Sequence, residues 1–222
     1  FTQLIVVEKA LGALDYFLIQ GPPGSGKTSH VLKYIVEHIF NNTSENILVL
    51  AFTNRAVDEI CSALKRIKDE TFTFFRTGAK EVSEHQDVLI SHLVETIPLT
   101  ELYDKLNNSR VIVSTVSSVL ANPEIMELKE YGMAIIDEAS QILEPQIIGI
   151  LSKVNRFIMI GDEKQLPAVV IQDEANTKID SEILQEINLK DMRCSLFERL
   201  LECCKRNQWT HSYGMLIKQA RM

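Results

Sequence analysis

Short apolar runs, each closed by small or polar residues, recur along the chain. Residues 16–20, 47–52, 110–114, 133–136 and 157–160 are apolar at consecutive positions rather than at alternate ones. Runs of that kind read as strands buried on both faces. Between them the apolar spacing changes to three and four. Leu4, Val7 and Leu11 share one face of 3–11, and Val31, Ile35, Val36 and Ile39 share one face of 30–40. That spacing predicts helices. Further helices are predicted at 55–68, 116–120 and 145–151, and residues 71–75 have the β-branched and aromatic character of another strand. Strands alternating with helices imply a parallel sheet covered on both sides, because parallel strands need long crossovers. The expected fold is α/β.

Residues 79–109 break the alternation. They are polar and mixed in charge, with helical spacing at 88–94 and 99–106. They read as a small helical insertion within one domain that spans 1–222. The insertion either is passive or steers a ligand or binds a partner. His85 and His92 within it lack a partner set that suggests a metal and read as surface residues.

In a parallel sheet the ligand sits beyond the C-terminal strand ends. The conspicuous polar residues fall there: 21–28, Thr53-Asn54, Ser114-Thr115, Asp137-Glu138 and Gly161-Asp162. The first of these, Gly21-Pro22-Pro23-Gly24-Ser25-Gly26-Lys27-Thr28, follows a strand and precedes a helix. It fits the phosphate-binding loop G-x-x-x-x-G-K-[ST]. Glycines let backbone N–H groups turn inward onto phosphate oxygens, and the helix N-terminus adds positive potential. Lys27 is expected on the β- and γ-phosphates of ATP and Thr28 on Mg²⁺.

Asp137-Glu138 ends the apolar run 133–136. Alone it would be an acidic turn. Downstream of a phosphate loop, Asp137 is the expected Mg²⁺ holder and Glu138 the residue that activates the attacking water. On extended backbone the two carboxylates would face opposite ways. Gln165, in 161–167, could donate to the γ-phosphate or to the water; alone it belongs to a polar turn.

Net charge is −7, and 45% of residues are hydrophobic and 24% charged. This is ordinary for a globular domain and does not advertise a nucleic-acid binder, though a channel can be basic within an acidic surface. No apolar stretch is long enough to span a membrane. Cys61, Cys194, Cys203 and Cys204 form no C-x-x-C pair. They read as buried small hydrophobes on helices in a reducing, intracellular compartment. That compartment is the cytoplasm, or the nucleus in a eukaryote. Both ends read as cut from a longer polypeptide.

In combination these segments resemble the first RecA-like motor domain of a superfamily 1 helicase. The likeness is to the 1B branch, which includes the nonsense-mediated-decay RNA helicase and the Dna2 nuclease-helicase group. Residues 18–28 resemble motif I, 47–60 motif Ia, 113–115 motif Ib, 137–145 motif II and 161–167 motif III. Residues 195–200 also recur in this branch, and 216–222 resemble its L-x-x-Q-Y-R-M segment, with Ala220 where the family has tyrosine.

The resemblance implies an ATP-driven helicase or translocase. It puts Gln3 on the adenine edge and Gln20, Gly21, Pro22, Pro23, Gly24, Ser25, Gly26, Lys27 and Thr28 around the nucleotide. Arg221 would touch the γ-phosphate. Phe52, Thr53, Asn54, Ser114 and Thr115 would meet single-stranded DNA or RNA. Phe52 could stack on a base or end a strand in the core, and Thr53 and Asn54 could contact the strand or cap a helix. A second RecA-like domain of the same polypeptide would complete the ATP site. The alternative is an ATP-switched regulatory or interaction module that does not unwind.

Overall fold

The computed structural model describes residues 2–78, 83–162 and 170–216. Among the described residues seven strands form one sheet: β1 (Tyr16–Gln20), β2 (Asn46–Ala51), β3 (Phe74–Arg76), β4 (Val111–Thr115), β5 (Tyr131–Ile136), β6 (Arg156–Gly161) and β7 (Tyr213–Met215). Their order is β3-β4-β2-β5-β6-β1-β7, and every pairing is parallel. The expected α/β sheet is therefore present.

The consecutive apolar positions serve two cores. Phe17 and Ile19 of β1, with Ile47, Val49 and Ala51 of β2, pack beneath α1 (Thr2–Gly12), α2 (Lys33–Asn42) and α3 (Asn54–Leu64). Leu18, Leu48 and Leu50 face the other way. They pack with α6 (Val116–Ala121), α7 (Glu144–Leu151) and α9 (Leu196–Arg206). Successive side chains leave opposite sides of a strand, so a strand covered twice cannot afford polar positions.

Between β3 and β4 stand α4 (Ile90–Thr96) and α5 (Leu99–Asn108). Their apolar sides, through Leu93, Ile97, Leu102 and Leu106, join the core on the β2 Leu48 side of the sheet. A short helix α8 (Glu182–Glu186) lies between β6 and α9. Ser195 starts α9 with a capping box: its hydroxyl accepts from Glu198 N at 3.2 Å and Glu198 Oε2 reaches back to Ser195 N at 3.3 Å.

Strand β7 has no sequence signal beyond one tyrosine and one methionine around Gly214. Tertiary pairing makes it: Leu18 N donates to Ser212 O at 2.9 Å, and Leu216 N to Gln20 O at 2.8 Å. Gly214 is required by close approach, since a Cβ there would meet Val6 Cγ1 at 2.9 Å.

His85 and His92 are half-buried. His85 Nε2 lies 2.9 Å from Ser62 Oγ and 3.1 Å from Asp58 O. His92 Nδ1 is buried. Cys61, Cys203 and Cys204 are buried, but Cys194 is exposed and outside any helix.

Candidate nucleotide and nucleic-acid site

The loop 21–28 leaves β1 at the C-terminal edge of the sheet. Gly21 N donates to Gly161 O at 3.0 Å, which ties the loop to β6. Gly24 and Gly26 take φ of 76° and 78°, a region that side-chain-bearing residues disfavour. The following helix opens with a π-helical turn, Lys27–Leu32, in which Val31 N reaches Gly26 O at 3.1 Å. The apolar spacing marked the helix only from residue 30, because the turn that carries Lys27 and Thr28 has no apolar face to show.

Lys27 Nζ donates to Gly21 O at 2.6 Å. Burial pushes its pKa down, opposed by the charges of Asp137, Asp162 and Glu138. Thr28 Oγ1 donates to Asp137 Oδ2 at 2.5 Å. Asp137 is buried at the end of β5, and its N–H donates to Leu50 O at 2.8 Å. Burial raises its carboxyl pKa above the usual range, with the Thr28 hydroxyl and the Glu138 N–H pulling it back. A hydroxyl and a buried carboxylate converging in this way suit a hard cation that also takes phosphate oxygens.

Glu138 departs from the expected extended backbone. It takes φ 53° and ψ 32°, in the left-handed region, and opens the short 3₁₀ turn Ala139–Gln141. Gln141 N donates to Glu138 O at 2.9 Å and Glu138 N to Asp137 Oδ1 at 2.9 Å. A backbone reversal, not strand alternation, separates the two carboxylates. Burial first, then the Asp137 charge, raises the Glu138 pKa.

These groups line one cleft of about 920 Å³ with Pro23, Gly24, Gly26, Gly161 and Asp162. Its far wall is α3, through Arg55, Asp58 and Glu59, with Arg66 just beyond the helix. Gln3 lies beside it and donates through Nε2 to Ser25 O at 3.1 Å, so one end of its amide is engaged with the loop itself. Gln20 and Ser25 are buried beneath the loop. Gln165 and Arg221 lie outside the described residues, as do residues 79–82 of the predicted insertion.

The expected nucleic-acid residues divide. Phe52 is 36% exposed just past β2, not a core residue. Thr53 Oγ1 accepts from Ala56 N at 3.1 Å and caps α3. Asn54 Oδ1 accepts from Arg76 Nη2 at 3.3 Å. Ser114 is fully buried, accepting from Thr77 Oγ1 at 2.6 Å and donating to Thr115 O at 3.0 Å. Thr115 is 7% exposed and caps α6 through Ser118 N at 3.0 Å. The hydroxyls of Ser114 and Thr115 are thus engaged inside the domain.

Two buried ion pairs escaped the sequence reading. Arg76, wholly buried at the end of β3, pairs with Asp58 of α3 and donates to Ser83. Arg199 of α9 grips Glu144 of α7 through Nε at 2.7 Å and Nη2 at 2.6 Å. The only available signal was an arginine ending an apolar strand and an acid on an otherwise apolar helix.

The AAA domain family matches residues 2–105 and 99–173, most of the chain and all of this cleft's walls. The chain belongs to the AAA domain family. Among relatives of this AAA domain is the DNA replication ATP-dependent helicase/nuclease DNA2 of Homo sapiens. It is 33% identical over 185 residues, which are 80% of this chain and 17% of that protein. DNA2 of Saccharomyces cerevisiae is 31% identical over 76% of this chain and 11% of its own length. JHS1 of Arabidopsis thaliana is 33% identical over 87% of this chain and 13% of its own length. The AAA domain therefore spans less than a fifth of these relatives, and falls in the Dna2-type group of superfamily 1 that its motifs resemble. The Pyrococcus furiosus Hef helicase domain shares the fold, with TM-score 0.55 and 15% identity over 99% of this chain and 39% of that one. So does the Type ISP restriction-modification enzyme LlaGI, with TM-score 0.56 and 14% identity over 94% of this chain and 22% of that one. Among the described residues no helix is long and apolar enough to cross a membrane.

Proposed function

We propose that this AAA domain is the first motor domain of an ATP-dependent helicase or translocase, working with a second RecA-like domain on single-stranded DNA or RNA. The observation that carries the reading is the convergence of Lys27, Thr28, Asp137 and Glu138 on one cleft. The relatives' description as ATP-dependent helicase/nucleases supports it.

The backbone N–H groups of the loop bind the phosphates of ATP. Lys27, already within reach of Gly21 O, turns to the β- and γ-phosphate oxygens. Thr28 and Asp137 would hold Mg²⁺, whose charge would offset that of the phosphates. Among the described residues no three acidic, histidine or cysteine side chains cluster as a metal cage. Glu138 accepts a proton from the attacking water, and its raised pKa brings it nearer to a useful base at neutral pH. Gln3, hydrogen-bonded to the phosphate loop at Ser25 O, takes the adenine edge on the strength of the motif. Gln165 and Arg221 keep their proposed γ-phosphate roles on the strength of the motif alone.

Phe52 offers a face on which a base can stack, without reading sequence. The described part of the insertion touches α3 through His85, which reaches Ser62 and Asp58. Closure of the second domain supplies the remaining positive charge for the transition state. An ATP-consuming motor on nucleic acid works inside the cell, in the cytoplasm or, in a eukaryote, the nucleus.

The test is ATP turnover by the full-length protein with and without single-stranded DNA and RNA at fixed salt. Strong stimulation is expected, and the better polymer identifies the track. Turnover indifferent to both polymers overturns the motor reading in favour of an ATP-switched regulatory module.

A further inference from the structure

Strand β3 ends the sheet on the side away from β7. Its inner edge is paired with β4: Thr77 N donates to Val113 O at 2.9 Å. Alternate residues of a parallel strand bond to opposite neighbours, so Phe75 and Thr77 face β4 while Phe74 and Arg76 turn their N–H and C=O outward. Arg76 is met there by Leu89 in a single parallel bridge. Phe74 is not met. The residues that would continue the pairing, Gln86–Val88, curl into a 3₁₀ turn, with Leu89 N on Gln86 O at 3.2 Å.

The two segments therefore touch at Arg76 and Leu89 and splay apart toward Thr73 and Asp87. The gap is a slot of about 680 Å³ between β3 and the described part of the insertion. Phe72, Phe74, Val88 and Leu93 give it an apolar lining. Its rim carries the carboxylates of Asp87, Glu101 and Asp104 against the ammonium groups of Lys65 and Lys105. Lys65 is taken by Asp87 at 2.6 Å and Lys105 by Glu101 at 3.0 Å. Asp104 is exposed and has no ion pair among the described residues, so the rim has one negative charge to spare.

Folded proteins cover an open strand edge or blunt it with charge on the strand itself. Residues 72–75 carry no charge. The slot thus offers an apolar lining, an uncompensated carboxylate and one residue's worth of outward main chain. An apolar small molecule would fill the lining and leave the main chain of Phe74 unpaired, and a helix has already spent its own main-chain groups. An extended chain meets all three, because its backbone pairs with Phe74 while alternate side chains enter the slot.

We propose that the slot beside β3 is a docking site for an extended segment of a partner protein, which adds as a strand outside Phe74. The segment carries apolar side chains at alternate positions and a lysine or arginine opposite Asp104.

The experiment pans a displayed library of random eight-residue peptides against the full-length protein. Enriched peptides are synthesised and studied by fluorescence anisotropy and by hydrogen exchange with mass spectrometry. They are expected to alternate apolar residues and to carry a base. Bound peptide is expected to slow exchange of the Phe74 amide at least about 10-fold, the scale of one or two main-chain hydrogen bonds. N-methylation of the peptide nitrogens on one alternate set is expected to weaken binding by a similar factor, and on the other set to leave it within about twofold. Asp104→Lys, an exposed change that leaves the lining intact, is expected to weaken binding about fivefold. A library that enriches nothing overturns the inference. So do enriched peptides that leave the Phe74 amide unprotected, that bind the Asp104→Lys variant as well as wild type, or that tolerate N-methylation equally on both sets.

Discussion

Thr28 Oγ1 and Asp137 Oδ2 lie 2.5 Å apart, although 109 residues separate them in the chain. The contact joins the phosphate loop to the end of β5 and places a buried carboxylate beside Lys27. It makes the site electrostatically expensive, because Asp137 gives up water for one hydroxyl and one N–H.

That expense has a sign. Burial holds the Asp137 carboxyl above its ordinary pKa, so the folded state binds this proton more tightly than the unfolded state. Stability contributed by this group therefore falls as pH rises above the ordinary aspartate value and through the raised folded one. Asp137→Asn keeps an acceptor for Thr28 without the charge. It is expected to melt higher than wild type at pH 7, to lose that advantage below about pH 4, where aspartate is protonated in both states, and to abolish turnover. Calorimetry across pH, beside an ATPase assay, checks both parts.

Removal of the Lys27 ammonium takes away the charge-assisted bonds to two phosphates. Lys27→Ala is expected to weaken ATP binding by at least about 100-fold and to spare the fold. Nucleotide titration by calorimetry measures the first, and circular dichroism the second.

Glu138→Gln preserves the shape of the side chain and loses its basicity. Nucleotide binding is expected to stay within about threefold, while turnover falls by about 10²–10⁴, the usual worth of a general base. Normal hydrolysis by this variant would take Glu138 out of the base role.

Arg76 is fully buried against Asp58. Arg76→Met leaves that carboxylate without its partner, and a stability loss of about 3–5 kcal/mol is expected in urea unfolding. Replacing both partners by apolar residues is expected to recover much of it, since the cost lies in the stranded charge.

Ser114→Ala and Thr115→Ala test whether these two hydroxyls serve the strand or the fold. Neither is expected to change affinity for single strands, and Thr115→Ala is expected to cost about 1 kcal/mol as a lost helix cap. Phe52→Ala, by contrast, is expected to weaken strand binding by about 1–3 kcal/mol. Anisotropy titrations with labelled oligonucleotides separate the three.

The sequence alone determined the succession of the first six strands with most of their helices, the edge where the polar residues gather and the placement of the glycine-rich loop. Each of these follows from neighbours along the chain: apolar spacing, glycine placement, and the few residue types that cradle phosphate. Strands 16–20, 111–115 and 131–136 were legible because a strand covered on both faces must be apolar at every step.

Only the tertiary structure decided what long-range contacts impose. Strand β7 exists because β1 offers it an edge. Ser114 and Thr115 turn inward because their hydroxyls find Thr77 and a helix N-terminus, which the same polar signature at a strand end could not announce. The carboxylates of Asp137 and Glu138 part through a left-handed residue rather than through strand alternation. Arg76 is buried because Asp58, on another element, neutralises it. Local pattern fixes which segments form and which end of them is polar; the partner of each polar atom is set by whatever the packed sheet brings within hydrogen-bond reach.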